Sequence, residues 1–534
     1  MPAAPADLVH NTPEEITEAH RALRESFASG ITYDVGFRKH QLKQLSFLLN
    51  DNVDAISDAI AKDLGRCKFE SVFAEIMLTT NSVLDAHNQC EKWAKDEKIW
   101  SGAIWALHHP TVRKDPKGTV LVIGAWNYPI SVQIGPMIGA LAAGCTVILK
   151  PSEVAAHSAR LLAELWPKYM DPRMSRVING AIPETTQLLD LQWEHIMYTG
   201  NGTVGRIVAE KAAKYLCPTT LELGGKSPVV VDDDADFNIA AHRILWAKVV
   251  NVGQTCIAPD YVLVTKNSQD KLLDAMKKVV KEYFPNGNRE SPDFGRVVND
   301  RQFKRLAGIL DRTKANVAIG GHFEAPERYM DLTVLQNVQP GDAAMEGEIF
   351  GPILPIMSVP NVQGAVDYIN ANDRPLATYV FGSKNTTNEI IKKTRSGGLV
   401  EGDLLLQYVV EDLPFGGSSK SGYGNYHGKA GFDTFTHSRG CVHAPSRGMM
   451  GQIAEKALST RYPPYKDSNL NFMRLLMGKS PNFSRPEKSY SKSSSSSGFG
   501  IGKLSALIFL LAAIAFTRPD SLNHFIAQLP KIKS

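Results

Sequence analysis

The stretch TVLVIGAWNYP, residues 119–129, sets the expected fold of this chain. It is a run of β-branched and apolar residues that ends in a glycine and continues into the polar Asn127. The same texture returns in CTVILKPSE (145–153), RVING (176–180) and EHIMYTGNG (194–202), with helix-length segments between the runs. Short buried strands that alternate with helices predict an α/β fold with a doubly wound parallel sheet. Ligands of such sheets bind at the carboxyl ends of the strands, where these loops lie.

A second series of strand-like runs follows the first. It consists of SPVVVDDDAD (227–236), YVLVTKNS (261–268), NVAIGG (316–321) and ATYVFGS (377–383). This series predicts a second α/β domain that extends to about residue 425. At the start of the chain, Thr12 and Pro13 have the residue types of a helix cap and a first helical position, so they predict an opening helix.

Composition narrows the class of protein. The chain has 534 residues, of which 43% are hydrophobic and 21% charged, close to average globular usage. A net charge of +4 gives no reason to expect a nucleic-acid partner. The six cysteines form no CxxC pair and no cluster with histidine, so we expect neither a metal site nor a disulfide framework. The N-terminus lacks the basic and apolar pattern of a signal peptide.

The C-terminal region has a different character. A five-serine run near residue 495 indicates a flexible linker over 447–503. The uncharged run LSALIFLLAAIAF follows, with Lys503 and Arg518 on either side of it. Residues 504–517 therefore predict a membrane anchor. A single spanning segment is favoured over an interfacial helix, and a buried terminal helix is the alternative.

Four motifs contain residue types that suit catalysis or cofactor binding. GNGTVG (200–205) follows a predicted strand and satisfies the glycine pattern that brings a pyrophosphate close to a helix N-terminus. Lys150 and Glu153 stand at the end of another strand, where they can bind ribose hydroxyls. Glu222 lies in LELGGKSP, and Cys256 lies in the polar loop GQTCIAP, a better place for a reactive thiol than an apolar strand. Each motif alone has a structural alternative: a glycine turn, a proline turn, a solvated carboxylate or an unreactive thiol.

Taken together, these motifs resemble those of the NAD(P)-dependent aldehyde dehydrogenase superfamily from about residue 15 to residue 445. The resemblance rests on the order and spacing of seven segments: WNYP (126–129), LKPSE (149–153), YTGNGTVG (198–205), LELGGKSP (221–228), GQTCIAP (253–259), EIFGP (348–352) and LPFGGSSKSGYG (413–424). NYHGKAGFDTFTH (425–437) is similar to the C-terminal signature of class 3, the branch that contains fatty aldehyde dehydrogenase. The family usually has a hydroxyl residue at the third position of the glycine loop, where this chain has Gly202.

The resemblance implies a domain organisation. It assigns 1–107 and 119–221 to an NAD-binding domain of Rossmann type and 222–425 to an α/β catalytic domain. It also assigns 108–118 and 426–446 to a small bridging element through which class 3 relatives form homodimers.

The resemblance also implies residue roles. Cys256 is expected to be the nucleophile, Asn127 a donor to the oxyanion and Glu222 the general base. The residues expected to bind NAD are Lys150, Glu153, Gly200, Asn201, Gly202, Thr203, Val204, Gly205, Glu348 and Phe350. Glu153 favours NAD because its charge repels a 2′-phosphate, although class 3 members also tolerate NADP.

The implied reaction is oxidation of medium- or long-chain aliphatic aldehydes to carboxylic acids through a thiohemiacetal and a thioester. Acyl transfer to coenzyme A and a non-catalytic membrane scaffold are the alternatives. With the predicted anchor, the catalytic body is expected to face the cytosol at the endoplasmic reticulum or the mitochondrial outer membrane, or at lipid droplets if the segment lies flat.

Overall fold

The computed structural model describes residues 8–106, 108–483 and 485. The chain divides into two compact units, each with its own set of contacts. The larger unit comprises the described residues up to Lys95 together with Lys114–His437, and the smaller comprises Asp96–Arg113 and the described residues from Ser438 onward. All of the predicted site residues lie in the larger unit.

Helices occur throughout both units. Their bounds are α1 Pro13–Ala28, α2 Val35–Asp51, α3 Val53–Leu64, α4 Lys68–Ser71, α5 Leu78–Trp93, α6 Ala103–Ala106, α7 Ser131–Ala143, α8 Ala156–Tyr169, α9 Ile182–Asp190, α10 Gly202–Ala213, α11 Phe237–Val249, α12 Lys266–Tyr283, α13 Asp300–Arg312, α14 Val362–Ala371, α15 Lys384–Lys393, α16 Leu406–Val409, α17 Gly428–Thr434, α18 Gly448–Leu458 and α19 Asp467–Met477.

The strands alternate with helices through most of the larger unit. Their bounds are β1 Glu97–Lys98, β2 Thr111–Pro116, β3 Thr119–Ile123, β4 Thr146–Lys150, β5 Ser175–Val177, β6 His195–Gly200, β7 Thr219–Leu223, β8 Pro228–Val231, β9 Tyr261–Thr265, β10 Asn316–Ile319, β11 Phe323–Glu324, β12 Tyr329–Met330, β13 Thr333–Gln336, β14 Ile353–Val359, β15 Ala377–Phe381, β16 Gly398–Glu401, β17 Gly422–Tyr423 and β18 Thr436–Cys441.

The first sheet is built from the first series of predicted strands. Its order is β17-β7-β6-β3-β4-β5, and every pairing is parallel except that of β17 with β7. All residues of β3 and β4 are buried, as expected of central strands covered by helices on both faces. Strands β4 and β5 lie on one side of β3, and β6 and β7 lie on its other side. The strand order therefore reverses next to β3.

The second sheet is built from the second series. Its order is β10-β13-β14-β9-β8-β15-β16, and it is parallel except for β10, which runs antiparallel at one edge. The two parallel sheets confirm the α/β fold predicted from the alternating pattern. A smaller sheet has the order β1-β2-β18.

The opening helix begins where the sequence predicts. The Thr12 hydroxyl accepts a hydrogen bond from the backbone N–H of Glu15, and the Glu15 carboxylate accepts one from the backbone N–H of Thr12. This reciprocal pair is a capping box, which satisfies two amides that the first turn leaves free. Ile16 and Leu23 of this helix are fully buried.

The predicted linker needs a correction in its first part. The described residues from 447 onward contain helices α18 and α19, whereas a flexible linker is predicted from residue 447. The expectation extended the signal of the serine run too far upstream, since Asp467–Met477 contains neither glycine nor proline and supports a helix.

The serine run itself and the anchor predicted for 504–517 lie outside the described residues. Among the described residues, no helix has both the length and the apolar character needed to cross a membrane. Residues 426–437 lie in the larger unit, where α17 packs against α7. The proposed division into cofactor, catalytic and bridging parts stays a prediction.

The contact between α7 and α17 depends on two glycines and generates a first prediction. A Cβ on Gly139 would lie 2.7 Å from the backbone carbon of Gly431 and 2.8 Å from its oxygen. We expect Gly139→Ala to lower the free energy of unfolding by about 1–3 kcal/mol, because neither backbone can yield easily. Chemical and thermal unfolding followed by circular dichroism measures the effect.

The matched control is Gly135→Ala, one turn earlier in α7. Its added methyl group would meet Tyr426 at 3.6 Å, an ordinary contact. Since alanine favours a helix interior over glycine by about 1 kcal/mol, this variant should be neutral or stabilised. Equal stability of the Gly139 variant and the native chain would contradict the predicted close packing.

Candidate active site

Residues that the sequence places at strand ends meet at one edge of the first sheet. Asn127 follows β3, Lys150 ends β4, Gly200 ends β6, and Glu222 lies near the end of β7. Strands β3, β4, β6 and β7 are parallel, so their carboxyl ends lie on the same side. The topology therefore brings together groups that are separated by up to about a hundred residues in the sequence.

Cys256 lies in the turn between α11 and β9. Asn251 and Val252, just before it, have φ angles of 52° and 55°, a left-handed conformation that costs energy for a side chain branched at Cβ. Gly253 has a φ of 70°, and a Cβ at this position would overlap the carbonyl oxygen of Gly351. The turn thus holds the thiol in a backbone conformation that needs support from its surroundings.

Hydrogen bonds from several directions provide this support. The Asn251 amide donates to the carbonyl oxygens of Asn127 at 2.8 Å and Gln254 at 3.0 Å. The Gln254 amide donates to the carbonyls of Asn251 and Arg296, both at 3.1 Å. These bonds satisfy polar groups that are buried, which offsets the strain of the turn.

A buried arginine connects the thiol turn to the loop of Asn127. The Arg66 guanidinium is 2% exposed and donates to the carbonyl oxygen of Asn127 at 2.5 Å and to the side-chain oxygen of Asn251 at 3.3 Å. It also forms an ion pair with Glu75, whose carboxylate accepts hydrogen bonds from the backbone N–H groups of Ile130 at 2.7 Å and Ser131 at 3.1 Å. Arg66 and Glu75 belong to none of the recognised motifs, so the sequence gives no signal that they support the site.

The side chain of Asn127 is buried and aimed at the thiol turn. Its amide donates to the carbonyl oxygen of Gln254 at 3.1 Å. A primary amide has two N–H groups, so this bond leaves one donor available. Asn127 therefore stands close to Cys256 in space, as the resemblance implies, although 129 positions separate the two in the sequence.

Glu222 is nearly fully buried and interacts with the Cys256 thiol. Burial raises the pKa of Glu222 to about 7, and its interaction with the thiol opposes part of this rise. Its Oε1 atom has no hydrogen-bond partner. Burial also raises the pKa of the Cys256 thiol well above its usual value, and the charges of Glu222 and Glu348 add to this effect. The site thus pairs a thiol that is hard to ionise with a carboxyl group that changes charge near neutral pH.

Glu348 is a second carboxyl group in this region. A Cβ on Gly224 would overlap its carboxylate, so the absence of a side chain at 224 makes room for it. Burial raises the pKa of Glu348 to about 8, and its Oε1 atom is buried without a partner. Phe350 packs edge-on against Trp126 with the ring centroids 5.3 Å apart.

A cavity of about 700 Å³ opens in front of Cys256. This volume is within the range of about 300–1,000 Å³ that small-molecule sites occupy. Most of its walls are aromatic or aliphatic side chains, contributed by segments that are far apart in the sequence. They include Phe69, Phe73, Tyr128, Trp246, Phe284 and Leu405. Cys256 is partly exposed, in agreement with its position on the cavity wall.

Of the residues predicted to bind NAD, Lys150, Glu153 and the loop 200–205 lie along the same edge of the first sheet, whereas Glu348 and Phe350 precede β14 of the second sheet. The Lys150 ammonium donates to the Glu153 carboxylate at 2.8 Å. Asn201 caps α10, and its side-chain oxygen accepts from the backbone N–H groups of Thr203 at 3.1 Å and Val204 at 3.0 Å. A Cβ on Gly202 would meet no atom within 4 Å, so open space lies beside the start of this helix.

These features fit a dinucleotide. Gly205 lets α10 approach β7, since a Cβ there would lie 2.9 Å from the Leu223 side chain. The free Oε1 of Glu348 provides an acceptor for a hydroxyl group, and a lysine–glutamate pair at a strand end suits a ribose. Among the described residues, no cluster of histidine, cysteine and carboxylate side chains suits a metal ion.

Comparison with known proteins places this geometry in a family. The Aldehyde dehydrogenase family matches residues 5–440. A rat protein named "Aldehyde dehydrogenase, dimeric NADP-preferring" is 43% identical over 450 residues, which cover 84% of this chain and 98% of the relative. The mouse "Aldehyde dehydrogenase family 3 member A2" is 40% identical over 464 residues, which cover 87% of this chain and 94% of the relative.

The fold is similarly matched among solved structures. A structure described as the substrate-bound state of Staphylococcus aureus AldH superposes with a TM-score of 0.83 and 36% sequence identity, covering 86% of this chain and 99% of that one. This agreement confirms the fold class and the enzyme class expected from the motifs. The chain belongs to the aldehyde dehydrogenase family, the NAD(P)-dependent oxidoreductases that oxidise aldehydes, and it is similar to the members of family 3.

Proposed function

We propose that this enzyme oxidises medium- and long-chain aliphatic aldehydes to carboxylic acids, with Cys256 as nucleophile. The observation that carries the proposal is the position of this thiol on the wall of a large apolar cavity, in contact with Glu222 and close to the Asn127 amide. A buried methylene group contributes about 0.8 kcal/mol to the free energy of binding, so such a cavity binds longer alkyl chains more tightly.

The first step is addition of the Cys256 sulfur to the aldehyde carbonyl. Because burial keeps the thiol protonated, its proton must leave, and the adjacent Glu222 carboxylate is the group placed to accept it. The carbonyl oxygen becomes an oxyanion, to which the free N–H of Asn127 and the backbone N–H of Cys256 donate. Loss of one such donor costs about 3–4 kcal/mol of transition-state stabilisation.

The second half of the reaction passes through a thioester on Cys256. NAD(P), held by Lys150, Glu153, Glu348 and Phe350, would supply the hydride acceptor for oxidation of the thiohemiacetal carbon. Glu222 first releases the thiol proton to solvent and then removes a proton from water, which attacks the thioester. The acid leaves, and the Cys256 sulfur takes back a proton from Glu222. Presence of this base favours hydrolysis over transfer to coenzyme A, because thioester exchange needs no activated water.

We propose that Lys150, Glu153 and the start of α10 hold the adenosine half of the cofactor. Glu348 and Phe350 hold the nicotinamide half. The supporting observations are the Lys150–Glu153 pair, the open space beside Gly202 and the unpartnered Glu348 oxygen. NAD is the preferred cofactor because Glu153 repels a 2′-phosphate, and pairing with Lys150 weakens this repulsion enough to admit NADP.

Two further parts of the proposal concern assembly and location. A homodimer is supported by the name of the rat relative, which describes that protein as dimeric. Membrane attachment through 504–517 is supported by its uncharged apolar sequence alone, which fits the endoplasmic reticulum, the mitochondrial outer membrane or a lipid droplet.

A series of straight-chain aldehydes tests the substrate class. We expect kcat/KM to rise about fourfold for each added methylene group, the equivalent of about 0.8 kcal/mol, until the cavity is filled. Formation of NADH is followed by absorbance.

Replacement of Cys256 tests the nucleophile. Cys256→Ser should lose at least about a thousandfold in kcat, whereas Cys217→Ser, at another partly exposed cysteine, should keep native activity. Full activity of the Cys256 variant would overturn the mechanism.

The pKa of Glu222 predicts a pH dependence. A group with a pKa of about 7 is mostly protonated at pH 6 and mostly a carboxylate at pH 8, so kcat should rise with pH through about 7 and level off above about 8. Glu222→Gln should reduce kcat by about 10²–10⁴-fold and abolish this rise. Glu210→Gln removes an exposed carboxylate from α10 and serves as control. An unchanged pH profile in the Glu222 variant would exclude this glutamate as the base.

Replacement of Glu153 tests the cofactor assignment. Glu153→Gln removes the charge that faces a 2′-phosphate, so the ratio of kcat/KM with NADP to that with NAD should rise up to about fivefold, which corresponds to about 1 kcal/mol for a partly exposed charge. Glu164→Gln breaks a comparable surface ion pair with Arg160 and should leave the ratio alone. A constant ratio in the Glu153 variant would place the adenosine ribose elsewhere.

A further inference from the structure

The cavity in front of Cys256 has an unusual balance of charge. Its described lining residues include two carboxylates, Glu70 and Asp293, but no lysine, arginine or histidine. The rest of the lining is apolar or carries only hydroxyl and thiol groups. A molecule that enters this cavity therefore meets two carboxyl groups and no basic side chain among the described lining residues.

The two carboxylates lie close enough to influence one another. Burial raises the pKa of Glu70, and the charge of Asp293 contributes to the same rise. Burial also raises the pKa of Cys67, another lining residue, with further contributions from the charges of Glu70 and Asp293. Cys67, Glu70 and Asp293 therefore form one face of the cavity, which we call the acidic wall.

One buried cation is shared between this wall and a third carboxylate. Arg66 forms an ion pair with Glu70 at 4.0 Å and opposes the rise in the pKa of Glu70, but it is in closer contact with Glu75 and with the carbonyl oxygen of Asn127. Glu70 accepts its hydrogen bond from the backbone N–H of Asn251 at 3.0 Å. Asp293 is exposed and lies on the segment between α12 and α13.

We propose that the acidic wall makes the enzyme discriminate against aldehydes that carry a carboxylate at the far end of the chain. Uncharged aldehydes of the same length are preferred. A carboxylate that enters the cavity loses hydration and also faces Glu70 and Asp293, with no basic side chain among the described lining residues to pair with it. The second effect acts only on anions. Specificity thus arises from repulsion of one substrate class as well as from attraction of the other. This inference rests on the proposed oxidation of aliphatic aldehydes.

The experiment compares two substrates of equal chain length, ω-oxodecanoate and its methyl ester, with decanal as reference. At pH 7.5 the free acid is ionised and the ester is neutral. We expect the native enzyme to prefer the ester by at least about tenfold in kcat/KM. Asp293→Asn should reduce this preference about threefold to tenfold, and Asp293→Lys should reduce it further. Glu70→Gln, which keeps an acceptor for the Asn251 N–H, should act in the same direction as Asp293→Asn.

Glu290→Gln is the matched control, because it removes an equal charge from the same exposed segment at a residue that does not line the cavity. It should leave both substrates unaffected. Equal use of acid and ester by the native enzyme overturns the proposal. An ester preference that survives both Asp293 variants overturns it too, since loss of hydration alone would then explain it.

Ionic strength gives a readout that needs no variant. An increase in salt from about 20 to about 500 mM shortens the screening length several-fold, so the ester preference of the native enzyme should fall. A preference that is independent of salt contradicts the acidic wall. Failure to oxidise decanal and the ester at all would instead refute the proposed substrate class, so the two failures are distinguishable.

Discussion

The guanidinium group of Arg66 contacts three separate segments inside the larger unit. It pairs with Glu75, donates to the carbonyl oxygen of Asn127 and reaches the side chain of Asn251. Asn251 begins a turn whose left-handed residues would not hold their conformation without such contacts. Removal of one partner from a buried ion pair typically costs about 3–5 kcal/mol. The relative positions of Asn127, the proposed oxyanion donor, and of the Cys256 turn therefore depend on Arg66, which has no role in the proposed chemistry.

Burial links this architecture to reactivity. Two carboxyl groups, Glu222 and Glu348, lie near Cys256, and burial raises the pKa of both. A base with a pKa near 7 is ionised often enough to act and basic enough to take a proton from water. The fold supplies this property through the position of β7, not through any unusual residue type. Titratable groups whose pKa values are shifted by their surroundings are frequent in active sites.

The sequence was sufficient for the strands and for the residues at their ends. Strand runs such as 119–123 and 146–150 are apolar and β-branched, and parallel topology then dictates that Asn127, Lys150 and Glu222 share one edge. Arg66 was not predicted, because its role arises from contacts with residues up to 185 positions away. The cavity walls were not predicted for the same reason, since segments near 70, 250, 290 and 410 contribute to them. Patterns within a short stretch of sequence do not show which distant residues come into contact in the fold.

The cap of α10 has a consequence for the binding and release of a nucleotide at the proposed site. The Asn201 side chain already satisfies the amides of Thr203 and Val204 at the point where a phosphate would seek donors. These two amides are thus paired without a ligand, and they stay paired when a nucleotide leaves. Turnover can therefore proceed through repeated exchange of the coenzyme while this end of the helix stays wound.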